Sequence, residues 1–204
     1  MPMIGYVLGL IAIISMCYEN SLTDRMVSLI LGFFWMWIGI VQIMTFFRQI
    51  MPYAEVIGLL FVLQSVLFLY FGVIRNRIKF RITMSGVNIV GFLFVIYAII
   101  VYPLLGFFYG NSYPEAAVFG IAANPTTVFT CGMILFTVEN FPILLLIIPF
   151  LWSLLAFGMS MLTGIHEDFP LFVAGVSSFW LTLLRLRKQK ELIKNHKKDI
   201  LDLD

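Results

Sequence analysis

"MVSLILGFFWMWIGIVQIMTFF", Met26 to Phe47, contains no Asp, Glu, Lys or Arg. A helix crosses the ~30 Å hydrocarbon core of a bilayer with about 20 apolar residues, and this run supplies them. Strands of a membrane barrel would alternate apolar and polar residues, and this run does not. It is read as a membrane-spanning helix. The whole chain shares its character: 61% hydrophobic, 12% charged, mean hydropathy +1.01 over 204 residues. A soluble domain carries roughly 25% charge with which to cover its surface. That cover is missing here, so lipid is the expected solvent.

Working outward, six further apolar segments appear. The first covers Ile4–Cys17, before the polar turn "YENSLTDR". The third is Glu55–Ile74, the fourth Gly86–Gly106, and the fifth begins at "NPTTVFTCGMILFTV". The sixth is Phe141–Leu162 and the seventh Phe169–Leu184. The expected fold is therefore all-α, a polytopic bundle of about seven transmembrane helices. Residues 1–184 form the membrane domain and 185–204 a basic tail. The first segment lacks a basic n-region and a cleavage site, and reads as a retained helix instead of a signal peptide.

Charge sets the orientation. No Lys or Arg lies between Ile82 and Leu184, whereas "RNRIKFR" (Arg75–Arg81) and "RLRKQKELIKNHKK" (from Arg185) are strongly basic. Short basic loops stay cytoplasmic. With both clusters inside, four crossings separate them, which places the N-terminus outside and the C-terminus in the cytoplasm. The plasma membrane is the expected location and the bilayer the expected partner. A membrane-protein partner or a homo-oligomer is also compatible. Neither cluster sits on an aromatic-interleaved soluble module, so nucleic acid is not expected. Leu186, Ile193 and Ile200 recur at a spacing of seven in the tail. The tail reads as a helical extension, either solvated, laid on anionic headgroups, or paired with a partner.

The fifth segment is the short one. Pro125–Val138 rises only about 21 Å at 1.5 Å per residue. If it crosses, its outer end starts below the surface and the preceding loop must dip inward. That accounts for "YPLLGFFYGNSYPEAAVFGIAANPTTVFT" (Tyr102–Thr130), which is turn-rich yet aromatic and free of Lys and Arg. Irregular backbone at membrane depth is tolerated only where protein packs it or a wet cavity takes it. The loop 102–124 is expected to fold onto the bundle.

Candidate ligand-binding residues follow from this geometry. Asn124 is expected as a helix N-cap, with Pro125 at the first helical position and Thr126 and Thr127 satisfying free backbone donors. A helix N-terminus below the surface would attract an anion or a carbonyl; an ordinary capped helix explains the same residues. Asn111, Tyr113 and Glu115 stand in the loop above it. Glu115 is the only acid between Arg81 and Glu139, although a carboxylate in an outer loop is ordinarily just solvated. His166, Glu167 and Asp168 read as a polar turn: adjacent residues on a helix cannot all face one metal.

Gln42, Gln64 and Asn88 are expected to make interhelical hydrogen bonds. Trp35 and Trp37 are expected in packing, and Trp180 in an interface belt. Cys17 and Cys131 read as free thiols. No ionisable residue falls in the middle of a segment, which counts against an ion-coupled transporter. No catalytic motif is present, so an enzyme is not favoured. No cofactor is indicated.

"FFWMWIGIVQIMTFF", "YPLLGFFYGNSYP", "VFGIAANPTTVFT" and "PFLWSLLAFGMSMLTGIHEDFPLFVAGV" together resemble a family of small multi-pass bacterial membrane proteins of unknown function. Tyr102, Pro103, Gly106, Gly110, Tyr113, Pro114, Phe119, Gly120, Pro125, Thr126 and Thr127 match the family's loop pattern. Asn111 stands where that pattern has His, "AAN" replaces its Pro-Cys before Pro125, and Gln42 replaces a His in the second helix. The metal or redox site that His and Cys would suggest is therefore not expected here. The resemblance implies a shared backbone architecture and no established activity.

The function expected from the sequence is a non-enzymatic protein with a small-solute pocket at residues 102–127. The alternative is a structural or accessory subunit of a membrane complex.

Overall fold

A computed structural model of the protein describes residues 2–49, 52–108, 118–138, 141–163 and 168–201. The described chain is all-helical apart from one pair of two-residue strands. Its helices are α1 (Pro2–Ser15), α2 (Ser21–Gln49), α3 (Ala54–Ile74), α4 (Gly86–Phe108), α5 (Ala123–Leu135), α6 (Leu144–Thr163) and α7 (Phe169–Leu201). Five of them, α2, α3, α4, α6 and α7, are long and apolar enough to cross a membrane. The two shorter ones are α1 and α5, and α5 is the key to the architecture.

The thirteen residues of α5 are buried on every side except at Asn124. Helix α5 packs against α4, α6 and α7, and rings from α2 reach it at Phe129, with the Phe34 and Phe129 centroids 6.4 Å apart. A helix apolar all round belongs in a core, and the sequence "VFTCGMIL" provides no polar stripe to face solvent. Gly91 of α4 and Gly132 of α5 permit the closest approach. A Cβ on Gly132 would lie 2.8 Å from the Gly91 carbonyl oxygen, and one on Gly91 3.0 Å from that of Gly132. Small residues at such crossings let helices gain van der Waals contact that lipid cannot provide.

Apolar side chains line the outer faces as well as the core, and hydrogen-bonded polar groups lie among the core residues. Ser28, Gln64, Ser65, Thr130, Ser153 and Ser178 are fully buried, whereas Leu59, Leu93, Leu155 and Val173 on the outer faces are more than half exposed. Trp180 is 60% exposed on α7, and Trp35 is buried against Phe61, with ring centroids 4.6 Å apart.

Three helices widen from α to π hydrogen bonding. The i→i−5 bonds run from Phe47 N–H to Gln42, from Arg75 N–H to Tyr70 and from Tyr102 N–H to Tyr97. The stretch in α4 ends just before Pro103, which has no N–H to return to the preceding turn. Helix α6 solves the same problem with a side chain. Pro149 lies inside it, so the carbonyl of Leu145 has no helical donor. Gln64 of α3 supplies one, its Nε2 donating to Leu145 O at 2.8 Å.

Asn88 departs from its expected interhelical role. Its Nδ2 donates to Arg81 O and its Oδ1 accepts from Ser85 Oγ, so it closes the N-terminal turn of its own helix. The reason is position: Ser85 caps α4, which puts Asn88 in the capping turn.

Candidate functional site

The N-terminal end of α5 is built by a tight turn. Gly120 takes φ +79°, a left-handed conformation, and a Cβ there would lie 2.6 Å from Gly5 Cα. The turn lets Ile121 and Ala122 return their N–H groups to Val118 O. It also lays Phe119 back along the helix that follows. The Phe119 ring is fully buried, 4.7 Å from Phe129 and 5.4 Å from Phe34, centroid to centroid.

The capping expectation is corrected here. The N-cap is Ala122, with no side-chain cap bond, and Asn124 and Pro125 lie inside the helix. Asn124 is engaged elsewhere, its Oδ1 accepting from Trp152 Nε1 of α6 at 3.1 Å. Thr126 Oγ1 accepts from Gly120 N–H at 3.0 Å, pinning the turn rather than a helix donor. Thr130 Oγ1 donates to Thr126 O at 2.8 Å and accepts from Trp35 Nε1 at 3.1 Å. Two separate hydrogen-bonded sets result: Trp152 with Asn124, and the chain Gly120–Thr126–Thr130–Trp35, the latter beside the rings of Phe34, Phe119 and Phe129. Thr127 differs: its Oγ1 is buried and has no hydrogen-bond partner among the described residues.

Asn111, Tyr113 and Glu115 lie outside the described residues, as do His166 and Glu167. Of the six candidate ligand residues, the structure therefore brings three together, Asn124, Thr126 and Thr127. Asp168 is buried and accepts from Tyr102 Oη at 2.6 Å, which ties the start of α7 to α4. Beside the Gly120 turn lies a groove of about 180 Å³ lined by Ile4, Gly5, Phe33, Trp37, Gly120 and Ile121. Its lining is apolar. Among the described residues no group of three His, Cys, Asp or Glu side chains could hold a metal ion.

The opposite end of α5 has different chemistry. Its last carbonyls receive the Arg185 guanidinium of α7, which donates to Thr137 O and, at 3.3 Å, to Leu135 O. A cation at a helix C-terminus also complements the helix dipole. Strands β1 (Lys79–Phe80) and β2 (Thr137–Val138) pair there, and Arg81 N–H donates to Phe136 O at 2.8 Å. Asp24, only 2% exposed, holds this corner. Its carboxylate accepts from Arg81 Nη1 and Phe80 N–H, each at 2.9 Å, with Lys79 Nζ at 3.5 Å. Glu19 adds a second, exposed acid 3.8 Å from Arg81.

The role of Asp24 was missed in the sequence, where "YENSLTDR" reads as a nearly neutral turn. An acid one turn into a helix facing a basic loop was the available signal.

The α5 N-terminus gathers hydroxyls, an amide and indoles, and Cys131 is the only titratable side chain on the helix. Tyr6 also stands at this end, its ring 5.8 Å from Phe119 centroid to centroid.

Residues 1–192 match the model of a family of unknown function, DUF6064. The chain belongs to that family. No curated protein and no solved structure matches the chain. DUF6064 membership agrees with the resemblance read from the motifs in being uncharacterised, and it assigns no activity to the α5 N-terminus.

Proposed function

We propose that this protein is a multi-pass plasma-membrane protein of seven crossings, N-terminus outside and C-terminus cytoplasmic, acting as a structural or accessory subunit of a membrane complex. The observation that carries the accessory role is how the polar side chains at the α5 N-terminus are engaged. Asn124 and Thr126, two of the best-placed solute ligands, turn Oδ1 and Oγ1 to the Trp152 indole and the Gly120 N–H. A solute site needs convergent polar groups free to turn toward a ligand. Here Asn124 Oδ1 and Thr126 Oγ1 face protein donors instead.

The membrane reading has independent support. In water, leaving Leu59, Leu93 and Val173 exposed would be unfavourable. In lipid, the same arrangement is the expected one. The seven-crossing count is supported by α1 and α5 running between the two ends of the bundle. Gly5 lies at the Gly120 turn. The chain leaving α1 reaches Glu19 at the Arg81 corner. The segment expected as a loop over 102–124 is corrected at its start, because α4 continues to Phe108, and its described end, from Val118, folds onto the bundle where Phe119 packs on Phe129.

Purification of the native assembly in mild detergent tests the accessory role. A stoichiometric membrane partner is expected, and deletion of the tail from Arg187 should weaken its recovery. Recovery of a lone chain at native expression would contradict it.

A second reading, solute binding, is favoured by one observation, the unpartnered Thr127 hydroxyl. Bound solute in the purified protein that is lost in Thr127→Val would favour that reading over the first.

A further inference from the structure

Many cations at the Asp24 end are already engaged. Arg81 and Lys79 face Asp24, Arg185 caps α5, and Arg75 Nε donates to Tyr70 Oη at 3.2 Å. Arg25, Arg77, Arg187 and Lys188 are exposed instead. They come from three separate elements that meet at one end. Asn76 Nδ2 donates to Ser21 Oγ at 2.9 Å, which sets the Arg77 turn beside the start of α2. Arg185 reaches the Thr137 carbonyl on the strand paired with Phe80, which sets Arg187 and Lys188 beside the same corner. The acids at this corner, Asp24 and Glu19, already face Arg81.

We propose that these exposed cations form a binding collar for the phosphate headgroups of anionic phospholipids. The inference rests on the membrane reading above and names the lipid class that reading leaves open. What selects a lipid surface over an acidic soluble partner is the apolar rim that runs beside these cations. Leu22 and Met26 flank Arg25 and are 69% and 38% exposed; Ile74, 70% exposed, precedes Arg75; Leu184, 46% exposed, lies one turn before Lys188. Apolar side chains facing outward directly beside guanidinium and ammonium groups match the boundary where acyl chains give way to phosphates. A soluble acidic protein would have to cover that apolar rim as well. Guanidinium also pairs with phosphate through two parallel N–H donors, which suits Arg25, Arg77 and Arg187.

The test compares lipid retention by native mass spectrometry, using full-length protein first shown to float with neutral phosphatidylcholine vesicles. The protein is then placed in mixed phosphatidylcholine and phosphatidylglycerol nanodiscs. Preferential retention of phosphatidylglycerol is expected, falling as salt rises. The variant Arg25→Gln/Arg77→Gln/Arg187→Gln should lose it by on the order of a hundredfold, since each cation near an anionic surface contributes on the order of fivefold. All three side chains are exposed and give up no bond among the described residues, so folding is expected to survive; the salt series on the unaltered chain is the independent second readout. Equal retention of the two lipids, or a preference unchanged in the variant, would overturn the collar and leave the membrane reading standing. A chain that failed to float with neutral vesicles would overturn both.

Discussion

The two ends of α5 satisfy the same physical requirement with opposite chemistry. At the Ala123 end the partners are neutral: a glycine N–H, threonine hydroxyls, an asparagine amide and two indoles. At the Leu135 end they are ionic, with Arg185 on the carbonyls and Asp24 holding Arg81 one strand away. A charge buried without water is far more expensive than a hydroxyl, so the neutral end suits depth and the ionic end suits the edge of the apolar belt. Under the proposed membrane reading, the comparison ties the depth of a helix end to how it is capped.

The largest expected effect lies at the ionic end. Asp24→Ala leaves Arg81, Lys79 and the Phe80 N–H without their shared acceptor and should cost about 3 kcal/mol or more, as removing one member of a buried ion pair does. Thermal unfolding in detergent should show a marked fall, and Asp24→Asn a smaller one. No change in either would mean the charged corner does not hold this end together.

Next comes the proline repair in α6. Gln64→Leu orphans the Leu145 carbonyl and should destabilise by about 1–3 kcal/mol. Adding Pro149→Ala restores a helical N–H for that carbonyl, so the double variant should recover much of the loss. Independent, additive effects would contradict the pairing.

The smallest effects discriminate within the neutral end. Trp35→Phe removes the donor to Thr130 and should cost about 0.6 kcal/mol, a typical interhelical hydrogen bond in a membrane protein. Thr127→Val removes a hydroxyl that bonds to nothing among the described residues and should be neutral or slightly stabilising. A clear loss of stability on Thr127→Val would show that this hydroxyl has a partner after all, and would move the comparison toward a ligand site.

Much of the scaffold was legible in the sequence because apolar length and charge placement are one-dimensional signals. Met26–Phe47 reads as helix from its run alone, and Ser21–Gln49 contains it. The short fifth segment was visible too, from the distance between Pro125 and Val138. What could not be read was partner choice. Asn124 before Pro125 looks like an N-cap, but the left-handed Gly120 turn starts the helix two residues earlier and delivers the amide to Trp152. Asp24 looked like one charge in a neutral turn because its partners lie 55 or more residues later in the chain. Gln64 was read as an interhelical donor; that it repairs the gap left by Pro149 needs both helices in place. Local pattern encodes a helix, and the fold decides what its polar atoms meet.

Cysteine labelling in intact cells tests the central claim most directly. In a Cys17→Ser background, single cysteines at Arg77, Lys194 and Gln49 are treated with a membrane-impermeant maleimide before and after permeabilisation. The account predicts that positions 77 and 194 react only after permeabilisation, whereas position 49 reacts in intact cells. Finding 77 and 194 on opposite faces, or all three on one, would contradict it.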